Sequence, residues 1–180
     1  MRGNRAGFTL LEMVIVMTIM SIVMGVVVLS QKSTQGLMSQ TSTSGLLEEK
    51  ALKALEAVAF EARWSDSGSF LITQENSSDR LDLQLPVDFV SGTPVWSTPV
   101  TYRVEPSTID ADENGVMNEG RFVRIQDGVT RVLSDYVVLG GFSATMTDEN
   151  VVLQLSLAKR DGTSDGLLTA NAQTSISVRN

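Results

Sequence analysis

The sequence predicts an α+β fold: a long N-terminal α-helix, membrane-spanning in its first half, packed on an antiparallel β-sheet head. Three observations lead there. Residues 8–29 are predominantly apolar with a single charge, Glu12, a helical stripe follows from Leu46, and after Gly68 the hydrophobic period falls to two. A helical run followed by a run of strands, without alternation between them, is the α+β pattern.

Composition narrows the function before any motif is weighed. The chain has 180 residues, 42% of them hydrophobic, and a formal net charge of −7. That suits one domain with an apolar segment attached. The 14 basic residues are spread along the chain without a basic stripe, so nucleic acid is not expected as a partner. Cysteine and histidine are both absent from the sequence, which removes thiol nucleophiles, disulfide frameworks, histidine triads and the usual zinc ligand sets. Serines, lysines and carboxylates remain, but no spacing among them marks a catalytic set; an enzyme is not expected.

The first element is a short basic leader, residues 1–7, MRGNRAG. The second is the apolar run 8–29. Its length of about 22 residues, at roughly 1.5 Å per residue, suffices to cross a hydrocarbon core of roughly 30 Å. A secretory signal peptide shares the basic start, Arg2 and Arg5, and Val28-Leu29-Ser30 imitates a cleavage site. Its apolar core is shorter, however, and would not hold an acid. A plain bitopic anchor accounts for the length but leaves Glu12 unexplained. An acid in the middle of a membrane helix costs roughly 2.5 to 3.5 kcal/mol, so an intramembrane carboxylate is a functional hypothesis by default.

Residues 30–45, SQKSTQGLMSQTSTSG, form helix weakly and either continue the spanning helix or interrupt it; the expectation is a helix over 30–64 that enters the head. Leu47, Ala51, Leu55, Val58 and Ala62 make one apolar face, Glu49 and Lys53 add an i,i+4 pair on the solvent side, and Asp66-Ser67-Gly68 is expected to close the helix. The head, 65–180, follows with roughly six antiparallel strands. Leu81, Leu83 and Leu85 alternate with polar residues, as do Val100, Tyr102 and Val104. Asp127-Gly128 between RFVRI and VTRVL is a two-residue hairpin signal. KRDGTSDG precedes a last alternating run through Leu168, Ala170, Ala172, Thr174, Ile176 and Val178.

The N-terminal stretch Gly7-Phe8-Thr9-Leu10-Leu11-Glu12, preceded by a basic leader and continued by the apolar run, resembles the type IV pilins and their pseudopilin relatives. The resemblance implies cleavage after Gly7 by prepilin peptidase, N-methylation of Phe8, and assembly with other pilin or pseudopilin subunits from the bacterial inner membrane. The chain would be single-pass, its head in the periplasm or at a filament tip. Leu29 stands about where many family members carry a proline. The order of elements, the insert before RFVRI, the segment Ser134-Asp135-Tyr136-Val137 and the ending Ile176-Ser177-Val178-Arg179-Asn180 are most like a W-type minor pilin or J-type minor pseudopilin, and the chain lacks the cysteine pair that major pilins usually carry. Such subunits prime assembly of a type IV pilus or a type II secretion pseudopilus. A tip subunit that recognises a secreted substrate or surface is the alternative. A neighbouring gene for a retraction motor would favour a pilus, and a secretin with other pseudopilins would favour secretion.

Leader removal creates a positive amine on Phe8, costly in lipid, and a carboxylate four residues on offers it neutralisation, within one chain or between stacked subunits. Loss of Arg2 and Arg5 makes the exported chain more acidic still.

One further motif lies in the head. Asp110, Asp112 and Asn114 stand at alternate positions before Gly115, with the Val116 carbonyl and Glu119 after it. Oxygen ligands around a glycine turn are what a tight calcium loop requires. Arg121 occupies the twelfth position where an EF-hand has its bidentate Glu, so the loop is closer to extracellular DxDxDG motifs. An acidic hairpin loop turning at Asn114-Gly115 fits equally well. No cofactor is required by either reading, and calcium is the one candidate.

Overall fold

The computed structural model describes residues 9–75, 77–108, 110, 119–147, 150–160 and 166–178. Helix α1 runs Leu10–Ala62 without a break, through Leu29 and through the polar stretch 30–45. In that stretch the Thr34 hydroxyl donates to the Ser30 carbonyl at 2.9 Å and Ser44 to Thr41 at 3.1 Å, so side chains that compete with helix elsewhere bond within it. The described residues divide into two compact units, one reaching to Ser39 and one covering Gln40–Asn180.

In the second unit α1 buries Leu47, Ala51, Ala54, Leu55, Val58, Ala59 and Ala62. Five of these are the face read from the sequence, and the added alanines allow close approach. Glu49 and Lys53 pair on the solvent side at 2.5 Å. The helix closes earlier than expected. Trp64 N–H donates to Glu61 at 3.0 Å and Ser65 N–H to Ala62 at 3.2 Å, so tightened i→i+3 bonds end it at Arg63–Ser65. Asp66-Ser67-Gly68 instead leads into a 3₁₀ turn, Ser67–Ser69.

Among the described residues nine strands follow: β1 (Leu71–Glu75), β2 (Ser78–Leu83), β3 (Pro86–Val90), β4 (Thr93–Trp96), β5 (Val100–Pro106), β6 (Gly120–Gln126), β7 (Val129–Thr147), β8 (Asn150–Arg160) and β9 (Leu167–Ser177). Seven make one antiparallel sheet in the order β1-β2-β5-β6-β7-β8-β9, and β3 pairs β4 in a separate ribbon. The sequence expectation of about six strands therefore falls short. β1 is mostly exposed and lacks apolar alternation, while β3 and β4 each carry a proline, which demotes a run as a strand signal. The predicted Asp127-Gly128 hairpin is present, with both residues at positive φ (51° and 76°) and Gln126 opposite Val129.

Alternation holds where it was read. Leu81, Leu83, Val100, Tyr102, Ala170, Ala172, Ile176 and Val178 are buried. They join the helix stripe around Tyr102, Phe122 and Phe142, whose rings lie 6.2 and 4.6 Å apart in succession. Full burial of a side chain such as Leu55 or Val58 contributes roughly 1.5 to 3 kcal/mol. β7 serves two neighbours, pairing β6 up to Val137 and β8 from there on, with a register shift between Val137 and Phe142. At that shift Gly140 has φ of 75°, and a Cβ on Gly141 would stand 2.6 Å from the Val138 carbonyl oxygen. Only glycine fits there. The sheet curls so that Asp79 of β2 accepts the Ala144 N–H of β7 at 2.9 Å.

One polar cluster fastens the helix to the sheet. Arg124 Nε donates to both Glu61 oxygens at 2.9 and 3.1 Å, and the Tyr102 hydroxyl donates to Glu61 Oε2. Burial, then the Glu61 hydrogen bond, raises the Tyr102 phenol far above its ordinary range.

Candidate functional site: the N-terminal segment of the helix

The backbone of α1 leaves its first N–H groups without intrahelical partners. Here the sequence supplies a remedy. Thr9 precedes the first helical residue, and Glu12 is the third within it. Glu12 N–H donates to Thr9 Oγ1 at 3.3 Å, while Glu12 Oε2 accepts the Thr9 N–H at 3.2 Å and the Thr9 hydroxyl at 3.3 Å. This is the reciprocal Thr-x-x-Glu capping box, with the acid also at the positive end of the helix dipole. The sequence reading missed it, although the signal was legible: Thr9 and Glu12 stand three apart just before an apolar run.

Beyond the cap, every side chain from Leu10 to Leu29 is exposed, and nothing of that apolar stretch is buried inside the protein. Leu10 is 83% exposed and Leu29 70%, so the protein's own fold covers neither end of the stretch. Its polar groups turn inward to the backbone. Thr18 donates to the Val14 carbonyl and Ser21 to the Met17 carbonyl, both at 2.8 Å. In hydrocarbon such hydroxyls would otherwise lack partners. Glu12 is the one charge left on the surface of this stretch. The helix is long and apolar enough to cross a membrane.

Of the residues singled out from the sequence, Gly7 and Phe8 lie outside the described residues, as do Asp112, Asn114 and Val116. Glu12 is described, and its carboxylate is engaged by Thr9. Asp110 and Glu119, the ends of the proposed calcium loop, are described too. Glu119 is 8% exposed, and its backbone carbonyl accepts the Ser107 N–H at 3.0 Å. Among the described residues no three acidic side chains cluster as a metal site would need.

Comparison with known proteins points to the same segment. Residues 2–28 match a family model described as the prokaryotic N-terminal methylation motif. No curated protein and no solved structure matches the chain. The motif is that of pilin-like structural subunits. It implies processing by prepilin peptidase and assembly with pilin subunits in the membrane, which together with the apolar helix fits anchoring in a bacterial inner membrane. The chain thus carries at its N-terminus the signal of a precursor of the type IV pilin or pseudopilin kind.

Proposed function

We propose that the protein is a minor pilin or pseudopilin, a structural subunit that helps prime a filament at the inner membrane with its head on the periplasmic side. The observation that carries this reading is the methylation motif at 2–28, together with the exposure of every apolar side chain of α1 from Leu10 to Leu29. A helix apolar all round needs apolar surroundings, first lipid and then the helices of neighbouring subunits. Glu12 has two tasks in this account. It caps the helix through Oε2, and its charge neutralises the amine that cleavage creates on Phe8, in its own chain or in a neighbour. The N-terminal peptide of membrane-derived protein should begin at methylated Phe8; an intact Met1 in cells with active prepilin peptidase overturns the proposal.

The two tasks of Glu12 separate by substitution, since glutamine can complete a capping box but carries no charge. Glu12→Ala and Glu12→Gln should both lose crosslinking to other pilin-like subunits while still inserting in the membrane. Crosslinking restored in Glu12→Gln would reduce Glu12 to its capping role.

A further inference from the structure

We propose that the head carries a binding site for a neutral saccharide, in the cleft between the end of α1 and the β3–β4 ribbon. The cleft has a volume of about 580 Å³, within the range of small-molecule sites. Both tryptophans of the sequence, Trp64 and Trp96, line it together with Phe89.

The local fold explains the concentration of rings. In the ribbon Pro86 pairs with Trp96 and Phe89 with Pro94. Trp96 and Pro94 are two apart and share a face. Pro86 and Phe89 are three apart and share it only because the register shifts between Pro86 and Asp88. Ser91 and Gly92, at φ of 51° and 82°, make the tight turn that holds the two strands together. Trp64 faces this surface from the turn that closes α1. It is 62% exposed and Phe89 65% exposed, while the rings stacked on one another in the head are those of the core. Aromatic faces left open beside a cleft are a cost to a soluble head unless something stacks on them.

The polar residues of the cleft select the ligand. Arg63 and Asp66 line it with opposite charges, so a net-charged ligand gains little. Arg63 can only donate hydrogen bonds and ionised Asp66 can only accept them. The fitting ligand therefore offers both donors and acceptors, together with flat apolar faces for the rings. A pyranose does this with its hydroxyls and C–H faces. A polyproline segment offers carbonyl acceptors but no N–H, leaving Asp66 desolvated without a donor. A hydrocarbon chain would leave both charges unmatched.

Both tryptophans report on the cleft, so their fluorescence in the full chain, held in a non-glycosidic detergent, provides the assay. The probes are an array of neutral oligosaccharides of glucose, galactose and N-acetylglucosamine, with heparin and poly-L-proline as comparison ligands. At least one neutral oligosaccharide should change the emission saturably. Trp64→Ala and Asp66→Asn should each weaken its binding roughly three- to tenfold, with Trp64→Phe between wild type and alanine and the melting transition unmoved. No response to any neutral oligosaccharide at millimolar concentration overturns the inference. So does preferential response to poly-L-proline or heparin, or a response only to another pilin-like subunit, which would make the cleft a protein interface.

Discussion

Between Leu10 and Leu29 helix α1 is apolar on nearly every side and none of it is buried, whereas between Leu47 and Ala62 it is apolar along one stripe and that stripe is buried. The same backbone ladder runs through both. The difference shows that apolar content alone does not decide what a helix buries. A single stripe needs a single partner, and the chain supplies one in its own sheet, where Leu55 and Val58 are fully enclosed. An all-round apolar surface needs a partner on every side, and among the described residues nothing buries it. The polar groups follow the same division: in the first stretch hydroxyls bond back to the helix, and in the second Glu61 reaches across to Tyr102 and Arg124.

The largest expected effect tests this division directly. Leu55→Ala should destabilise the head by about 2 to 5 kcal/mol in chemical denaturation. Ile19→Ala, a deletion of similar size in the uncovered stretch, should leave that transition where it is. Equal losses from both would mean that the first stretch is folded into the head's own unfolding unit.

Next in size is the polar fastening. Glu61→Gln keeps the shape but leaves the Arg124 guanidinium, 20% exposed, without its counter-charge; the head should lose about 1 to 3 kcal/mol. Tyr102 adds a pH dependence. Its phenol holds its proton more tightly folded than unfolded, so above the ordinary phenol range, about pH 10, the native state binds more protons than the unfolded one. Stability is then complete below that range and falls as the pH climbs through it. Urea titrations between pH 8 and 11 should show the fall, and Tyr102→Phe should flatten it.

A smaller effect concerns the segment between Asp110 and Glu119, read from the sequence as a calcium site. If the segment binds calcium with a Kd of ~10⁻³ M, as extracellular modules do, 10 mM calcium should stabilise the head by about 1.4 kcal/mol. A thermal melt of the full chain should show it, and Asp110→Ala with Asp112→Ala should abolish it. A melt indifferent to calcium, or raised equally by magnesium, assigns the segment to an acidic turn.

The smallest effect returns to the helix. A Cβ on Gly36 would meet nothing within 4 Å, so Gly36→Ala should firm α1 locally by about 0.5 to 1 kcal/mol. Slower hydrogen exchange at the neighbouring amides, with the head's transition unmoved, is the expected result. Faster exchange would show that the glycine serves the helix in some other way.

Much of this was legible in the residues because it is local or periodic. The apolar length of 8–29, the stripe from Leu47 to Ala62, the alternation around Leu81, Tyr102 and Ile176, and the Asp127-Gly128 turn all depend on neighbours a few positions away. The Thr9–Glu12 cap is equally local, its two residues three positions apart just before the apolar run. Tertiary structure alone decided three other things. It paired Glu61 with Arg124, 63 positions along the chain. It divided β7 between two partners at a glycine with no room for a Cβ. It also brought Trp64 to the same cleft as Trp96 and Phe89, across a ribbon whose prolines hid it as a pair of strands. Such contacts join residues distant in sequence, and their register depends on bulges and turns elsewhere, so no local pattern encodes them.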